Sequence, residues 1–364
     1  MYNYLEHKTK YIEEQYGGAK SINKSIDSTN NNDDYKVIKE LGMGMMGTVY
    51  LAEDDQNNKY AMKTEKILKK HSIKSLKYDI WRDIEFSNTM SKKYPEHFMK
   101  VYDNWIDKKC KHVQDWDKIG LKLDAFDKME QKYYKSLFDS SYCSVKVYSL
   151  VDCTLKDIID KISDEQYYDI FIQCLYIMHL CETNGYLHRD WKMDNIGLVK
   201  TDNEFINILG KKVKTRGYNV VLLDYGAVIH KKYILSSYEK KLYSNNMTDL
   251  FFMFDRYAHN MIFNFRDFEK KYGTSTFENI TIDDVMVKKI QKYLPKYDKN
   301  NKVLEQYVYK IIYHEHFERK IMNDENIVIV KPKLFLPMKA IEYIIKNIYD
   351  VEKCITYLIN HNKN

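Results

Sequence analysis

The chain reads as an α+β protein in two lobes, on three observations. Its first third alternates apolar and polar residues in short runs broken by Gly or Asp-Asn turns. From about residue 165 the apolar residues recur at helical spacing instead. The two regimes follow one another, a strand-rich part and then a helix-rich part, which implies two lobes.

Taken in order, residues Ser21–Asp34 (SINKSIDSTNNNDD) lack the apolar residues that would offset their ordering entropy, so residues 1–34 are expected to form a flexible tail. Tyr35–Leu41, Gly47–Glu53 and Lys59–Thr64 are predicted strands, the last two joined by a DDQNN turn. A charged helix is expected over Lys74–Lys93, then a strand near Phe98–Ile106. The stretch 107–140 mixes lysines with acids and reads as a solvated, partly helical insertion. A strand at Tyr142–Tyr148 closes the first lobe, residues 35–148, and the helical lobe spans 149–364. In that lobe Phe171, Leu175 and Met178, flanked by Ile172 and Cys174, give one broad apolar face. Further helices are predicted over Thr248–Phe263, Asp283–Leu294, Val303–Ile321 and Pro337–Leu358, the last with Pro in its first turn.

At 364 residues and 44% hydrophobic content the chain can bury a substantial core, which excludes disorder throughout. A net charge of +6, from 58 basic and 52 acidic residues, gives no nucleic-acid footprint. No apolar stretch approaches the roughly 18 residues of a spanning helix, so no membrane partner is expected. Cys110, Cys143, Cys153, Cys174, Cys181 and Cys354 fall at irregular spacings with no CxxC pair. They are expected to be reduced thiols in a reducing, intracellular compartment.

Chemistry concentrates at four places. Gly42, Gly44 and Gly47 lie within six residues between two predicted strands, where backbone without side chains can approach a phosphate. Because the last glycine leads into a strand, a dinucleotide-binding turn is not indicated. One strand later comes Tyr60-Ala61-Met62-Lys63, whose lysine needs a carboxylate to fix its ammonium. Asp79, Asp83 and Glu85 on the following helix are the candidates, and Glu85 is chosen as the inward-facing one. Directly after the apolar helix stands Leu187-His188-Arg189-Asp190-Trp191-Lys192-Met193-Asp194-Asn195. Finally the apolar run Val221-Leu222-Leu223 ends in Asp224-Tyr225-Gly226. Each alone has a plainer reading, as a hairpin, a surface lysine, a charged turn and an ordinary turn.

Together and in this order they resemble the protein kinase superfamily. The 188–195 segment is complete at every defined position of that family's His-Arg-Asp-x-Lys-x-x-Asn loop, and Tyr60–Lys63 is similar to its Val-Ala-Ile-Lys strand. The resemblance implies a bilobal kinase fold and transfer of the γ-phosphoryl of ATP with Mg²⁺, or Mn²⁺ in its place. Asp190 would accept the proton of the attacking hydroxyl, Lys192 would neutralise the moving phosphoryl group, and Lys63 would hold the α- and β-phosphates. Asn195 and Asp224 would ligate the metal. Gly42, Gly44, Gly47, Val49, Ala61 and Glu85 would complete the ATP site, with Val49 and Ala61 against the adenine ring. Lys192 resembles the Ser/Thr-directed enzymes, so a protein Ser or Thr hydroxyl is the implied acceptor. The Lys63-Thr64-Glu65 run and the Asp194-Asn195 pair resemble the casein kinase 1 and large-DNA-virus kinase groups, which keeps a host cell or a virion open as the compartment. A monomer acting on protein substrates is expected.

Two departures stand out. An extra run near Lys200–Tyr218 separates Asn195 from Asp224, read as an extended hairpin. No Ala-Pro-Glu follows Asp224, and the next strong helix starts around Asp249, so the activation segment is short. Asp249 is the candidate for the helix acid that, in the family, binds the catalytic-loop backbone. The short segment leaves a small-molecule kinase on the same fold as an alternative, and a partner-binding pseudokinase is a third. Two further features are given no site: His314 and His316 are two apart on a helix and face different ways, and Ser236, Ser237 and Tyr238 read as a solvated loop that Arg189 could pair with if phosphorylated.

Overall fold

The computed structural model describes residues 34–44, 47–108, 110, 128–233, 240, 248–261, 263–264, 319–323, 326–330 and 333–362. The protein is mixed α+β, with antiparallel strands early and helices later. The chain divides into two compact units, one from Met1–Val151 with Asp224–Asn245 and the other from Asp152–Leu223 with Asn246–Asn364. The first unit therefore takes a segment from beyond residue 148 that sequence reasoning placed in the helical lobe. Among the described residues no helix is long and apolar enough to cross a membrane.

The first unit is built on a five-stranded antiparallel sheet in the order β1-β2-β3-β5-β4. Its strands are β1 (Lys36–Met43), β2 (Thr48–Glu53), β3 (Lys59–Ile67), β4 (Val101–Asp107) and β5 (Tyr142–Tyr148). Alternation divides the sheet into two faces. One buries Ala52, Met62, Val145 and Val147 beneath the half-buried rings of Tyr35, Tyr50, Tyr60 and Trp105. Strand register puts Ala61 opposite Tyr148 and Lys63 opposite Lys146, so these four side chains share the other face. Helix α1 (Asp79–Lys93) is shorter than the predicted span, and its Ile80, Trp81 and Ile84 pack with Ile67 of β3. Helix α2 (Lys128–Phe138) lies in the predicted insertion, of which residues 109 and 111–127 are outside the described set.

Cys110 and Cys143 are joined in a disulfide with their Cα atoms 5.3 Å apart, which corrects the expectation of six thiols. The reason is strand register. Asp107 at the end of β4 pairs with Cys143 of β5, and the Cys110 N–H donates to the Ser141 carbonyl, so the departing chain stays beside β5. Cys153, Cys174, Cys181 and Cys354 are free thiols, and burial pushes the last three far above the usual thiol range.

In the second unit β6 (Cys153–Thr154) leads into the single turn α3 (Leu155–Ile158) and then the long helix α4 (Asp164–Thr183). Ser163 caps α4, accepting the Gln166 N–H while the Gln166 side chain accepts the Ser163 N–H. Sequence spacing suggested one apolar face, yet α4 is buried on nearly all sides, including Asp169 and Gln173. Those two polar groups are satisfied. Asp169 pairs with Arg216 and accepts from Asn362, and Gln173 bonds the backbone of Val220 and Tyr218.

After α4 come β7 (Tyr186–Leu187), β8 (Ile196–Lys200), the hairpin β9 (Phe205–Ile208) and β10 (Lys211–Lys214), and β11 (Tyr218–Leu222). The expected hairpin in the Lys200–Tyr218 run is thus present, and β11-β8-β6 form a small antiparallel sheet. Helix α5 (Asp249–Met261) falls within the predicted Thr248–Phe263. The Pro337–Leu358 helix is instead two, α6 (Met338–Lys346) and α7 (Val351–His361), because Asn347 ends the first and the Asp350 carboxylate caps the second. Arg319–Asn323 is a strand paired with Asn326–Val330, so the predicted Val303–Ile321 helix does not reach its expected end. The rest of that helix with its histidines, the Asp283–Leu294 helix and Ser236–Tyr238 lie outside the described residues.

Candidate active site

In the first unit the site grows from β3. Lys63 Nζ donates to Asp224 Oδ1 at 2.8 Å, joining two predicted site residues 161 positions apart. Its second carboxylate is Glu65, with Oε1 at 2.9 Å. Glu85 is not brought to Lys63, which corrects that expectation: Glu85 accepts from Thr89 Oγ1 along α1. Residues two apart on a helix point to different sides, and the inward one is the fully buried Asp83. Asp83 in turn holds Lys146 of β5 and accepts the Tyr148 hydroxyl at 2.6 Å.

Lys146 and Glu65 were therefore missed as site residues, and Asp83 was weighed but passed over for Glu85. A signal was present, since Lys146 sits in the middle of YCSVKVY, and a cation inside an apolar strand requires a buried acid. Burial works against the charge on Lys63, but Asp224, Glu65 and Asp83 outweigh it and hold the ammonium well above the ordinary lysine range. Glu65 shows the opposite balance, burial raising it and Lys146 and Lys63 together drawing it below the usual range.

The glycine hairpin is closed by a bond from the Gly44 N–H to the Gly47 carbonyl at 2.9 Å. A Cβ at Gly42 would meet nothing within 4 Å and one at Gly44 only the Gly47 oxygen at 3.9 Å, which leaves room for an approaching group. At Gly47 a Cβ would come within 2.6 Å of both Glu65 Cγ and the Thr64 carbonyl oxygen, so this glycine is demanded by β3 itself. Val49 is paired with Lys63, and Leu51 with Ala61.

Asp224 is held in the left-handed backbone region with φ 54°, a conformation costing about 1–3 kcal/mol that persists where the surroundings enforce it. The segment after it is fixed by Tyr225, whose ring packs edge-on to Phe86 of α1 and whose hydroxyl accepts the Met99 N–H at 2.8 Å. Phenylalanine at that position could not make the second bond.

In the second unit the catalytic-loop candidates form their own cluster. Lys192 Nζ and Asn195 Nδ2 both donate to Asp190 Oδ2 at 2.8 Å, and Asn195 Nδ2 also reaches the Asp190 carbonyl at 2.9 Å. Behind them Asp249 accepts the N–H of His188 at 2.8 Å and of Arg189 at 2.7 Å, the role expected for it. Arg189 too has positive φ, 67°. The buried His188 ring faces the Leu223 carbonyl through Nε2 and the Asp190 N–H through Nδ1. A carbonyl can only accept, so Nε2 carries the hydrogen and Nδ1 receives one.

Glu182 at the end of α4 accepts the Asp249 N–H at 3.0 Å, and this acid was also missed. Burial first and the neighbouring Asp249 second push its pKa up to about 8 from 4.5. The folded chain thus binds a proton more readily than the unfolded chain between those values. This contribution is fully present below 4.5 and is lost as pH rises through about 8. Glu182→Gln is expected to remove that slope and to gain roughly 5 kcal/mol over wild type on the alkaline side, read by thermal melts at both ends of the range.

No protein-family model matches the chain, and no curated protein matches its sequence.

Proposed function

We propose that the chain is a phosphotransferase of the protein-kinase kind, with a bilobal kinase fold, and that it passes the γ-phosphoryl group of ATP to a protein Ser or Thr hydroxyl. The observation that carries this reading is the Lys63–Asp224 ion pair, because the two residues were singled out from separate motifs as the phosphate-binding cation and the metal-binding carboxylate. The Asp190 cluster supports it independently. In the first unit Lys63 and Lys146 face three carboxylates, Glu65, Asp83 and Asp224, so the cluster has a formal surplus of negative charge. Its most accessible member is Asp224, whose side chain is 43% exposed.

On this reading Mg²⁺ would be held by the Asp224 carboxylate and the Asn195 amide, hard oxygen donors of the kind that ion takes. When bound, Mg²⁺ supplies neutralisation of the phosphate charge. The chain's own residues do the rest. Lys63 orients the α- and β-phosphates. The acceptor oxygen attacks the γ-phosphorus, its proton passes to Asp190, and the bond to the bridging oxygen breaks to release ADP. Lys192 offsets the charge on the transferring group, and Asn195 fixes the Asp190 carboxylate while that proton moves. The reading requires Asp190 and Asp224 to address one phosphate group.

Purified protein with Mg²⁺ and γ-labelled ATP is expected to label itself or a generic basic or acidic protein on Ser or Thr. Asp224→Asn is expected to abolish the Mg²⁺ dependence of nucleotide binding, measured by calorimetry with and without the metal. Absence of both labelling and Mg²⁺-dependent nucleotide binding in the wild type refutes the reading. Label appearing only on small alcohols moves the acceptor class.

A further inference from the structure

The first unit contains a chain of charges that neither motif explains. Lys63 and Lys146 stand opposite one another on β3 and β5, side by side on one face of the sheet. Like charges so placed repel. Glu65, two residues beyond Lys63 and therefore on the same face, lies between them with Oε1 at 2.9 Å from Lys63 Nζ and Oε2 at 2.5 Å from Lys146 Nζ. Lys146 continues to Asp83 of α1 at 2.5 Å, and Asp83 is secured by the Tyr148 hydroxyl. The Lys146 and Asp83 side chains are each 1% exposed. The space for Glu65 comes from the missing side chain at Gly47.

Such a network is a poor means of gaining stability. Desolvating each charge is costly, and well-packed apolar residues commonly do as well or better. What it does supply is a rigid line from a helix to the tip of Lys63.

We propose that Lys146, fixed by Asp83 and acting through Glu65, is a positioning residue that sets the place of the Lys63 ammonium. Beyond its through-space charge, the helix acid is thus tied to the strand lysine only through another lysine and a carboxylate of the same strand. Direct pairing of Lys63 with α1 is replaced by this relay. The inference deepens the phosphotransferase reading, on which Lys63 is the phosphate-binding cation.

The test is the double variant Asp83→Leu/Lys146→Met, which removes both buried charges together and is expected to fold. In protein with ¹⁵N-labelled lysines, the ammonium hydrogens of Lys63 are expected to exchange with water about tenfold faster than in wild type, because Glu65 has lost its second anchor. This readout needs no turnover, and a purely structural Lys146 would not move it once the fold is retained. Turnover is expected to fall about tenfold, chiefly in kcat rather than in KM for ATP, as a misplaced cation predicts. Glu65→Gln keeps the Asp83–Lys146 pair and the side-chain volume. It is expected to speed Lys63 exchange while leaving Lys146 protected, and it decides the matter if the double variant does not fold. Unchanged Lys63 exchange in a folded variant overturns the proposal, whatever the turnover. Faster exchange in a protein that never uses ATP upholds the relay and removes the phosphotransferase reading instead.

Discussion

Asp190→Asn is expected to leave the fold intact and to lower phosphotransfer by roughly 10²–10⁴-fold, the range lost with a positioned general base. An amide at 190 can still accept from Lys192 and Asn195 through its oxygen, so the local geometry has no reason to collapse. What it cannot do is take the hydroxyl proton. The measurement is initial-rate transfer from labelled ATP, with a thermal melt to show that the variant is folded. A folded variant with the wild-type rate removes Asp190 from the chemistry. A parallel loss of melting temperature and rate assigns it to structure.

The largest loss of stability is expected from Lys146→Met alone. Methionine has comparable length and no polar group to bury, so packing is nearly kept and the loss is electrostatic. Asp83 would be left in the interior with only the Tyr148 hydroxyl, and Glu65 would retain Lys63 alone. Removing one partner of a buried pair costs about 3–5 kcal/mol, because the other charge stays behind uncompensated. For a unit of this size that is a drop of about 10 °C in melting temperature. Adding Asp83→Leu should recover most of it, since both charges are then gone. If the single and double variants melt alike, Asp83 is not the group that Lys146 compensates.

These two experiments probe parts of the molecule that were unequally legible in the sequence. The 187–195 segment declared itself because six of its nine residues are polar or charged and closely specified, and local backbone bonds keep such a loop together. Asp249 could be anticipated in the same way. The sheet was legible as far as alternation goes, and the Tyr142–Tyr148 strand has the predicted bounds. Pairing was not. Which residue faces Lys63 depends on the register of β3 against β5, and no periodicity within either strand contains that information. The choice of Glu85 over Asp83 failed for a related reason: rotation of α1 about its axis is set by Ile80, Trp81 and Ile84 packing on β3, and two acids within one turn look alike in the sequence. The break between α6 and α7 was within reach, because Asn347 and Asp350 are both ready capping residues inside one apolar pattern.

Cys110 and Cys143 are 33 positions apart in the chain and share one covalent bond. The bond ties the two ends of that stretch together beside β5, three residues before Lys146. Within it helix α2 buries Tyr134 and Leu137, and the Phe138 carbonyl and the Ser140 hydroxyl bond Lys66 and Ile67 of β3, so the sheet is held at the stretch's far end as well. An oxidised chain would hold Lys146 on a clamped strand, and a reduced one would leave it on a strand held by hydrogen bonds and packing alone.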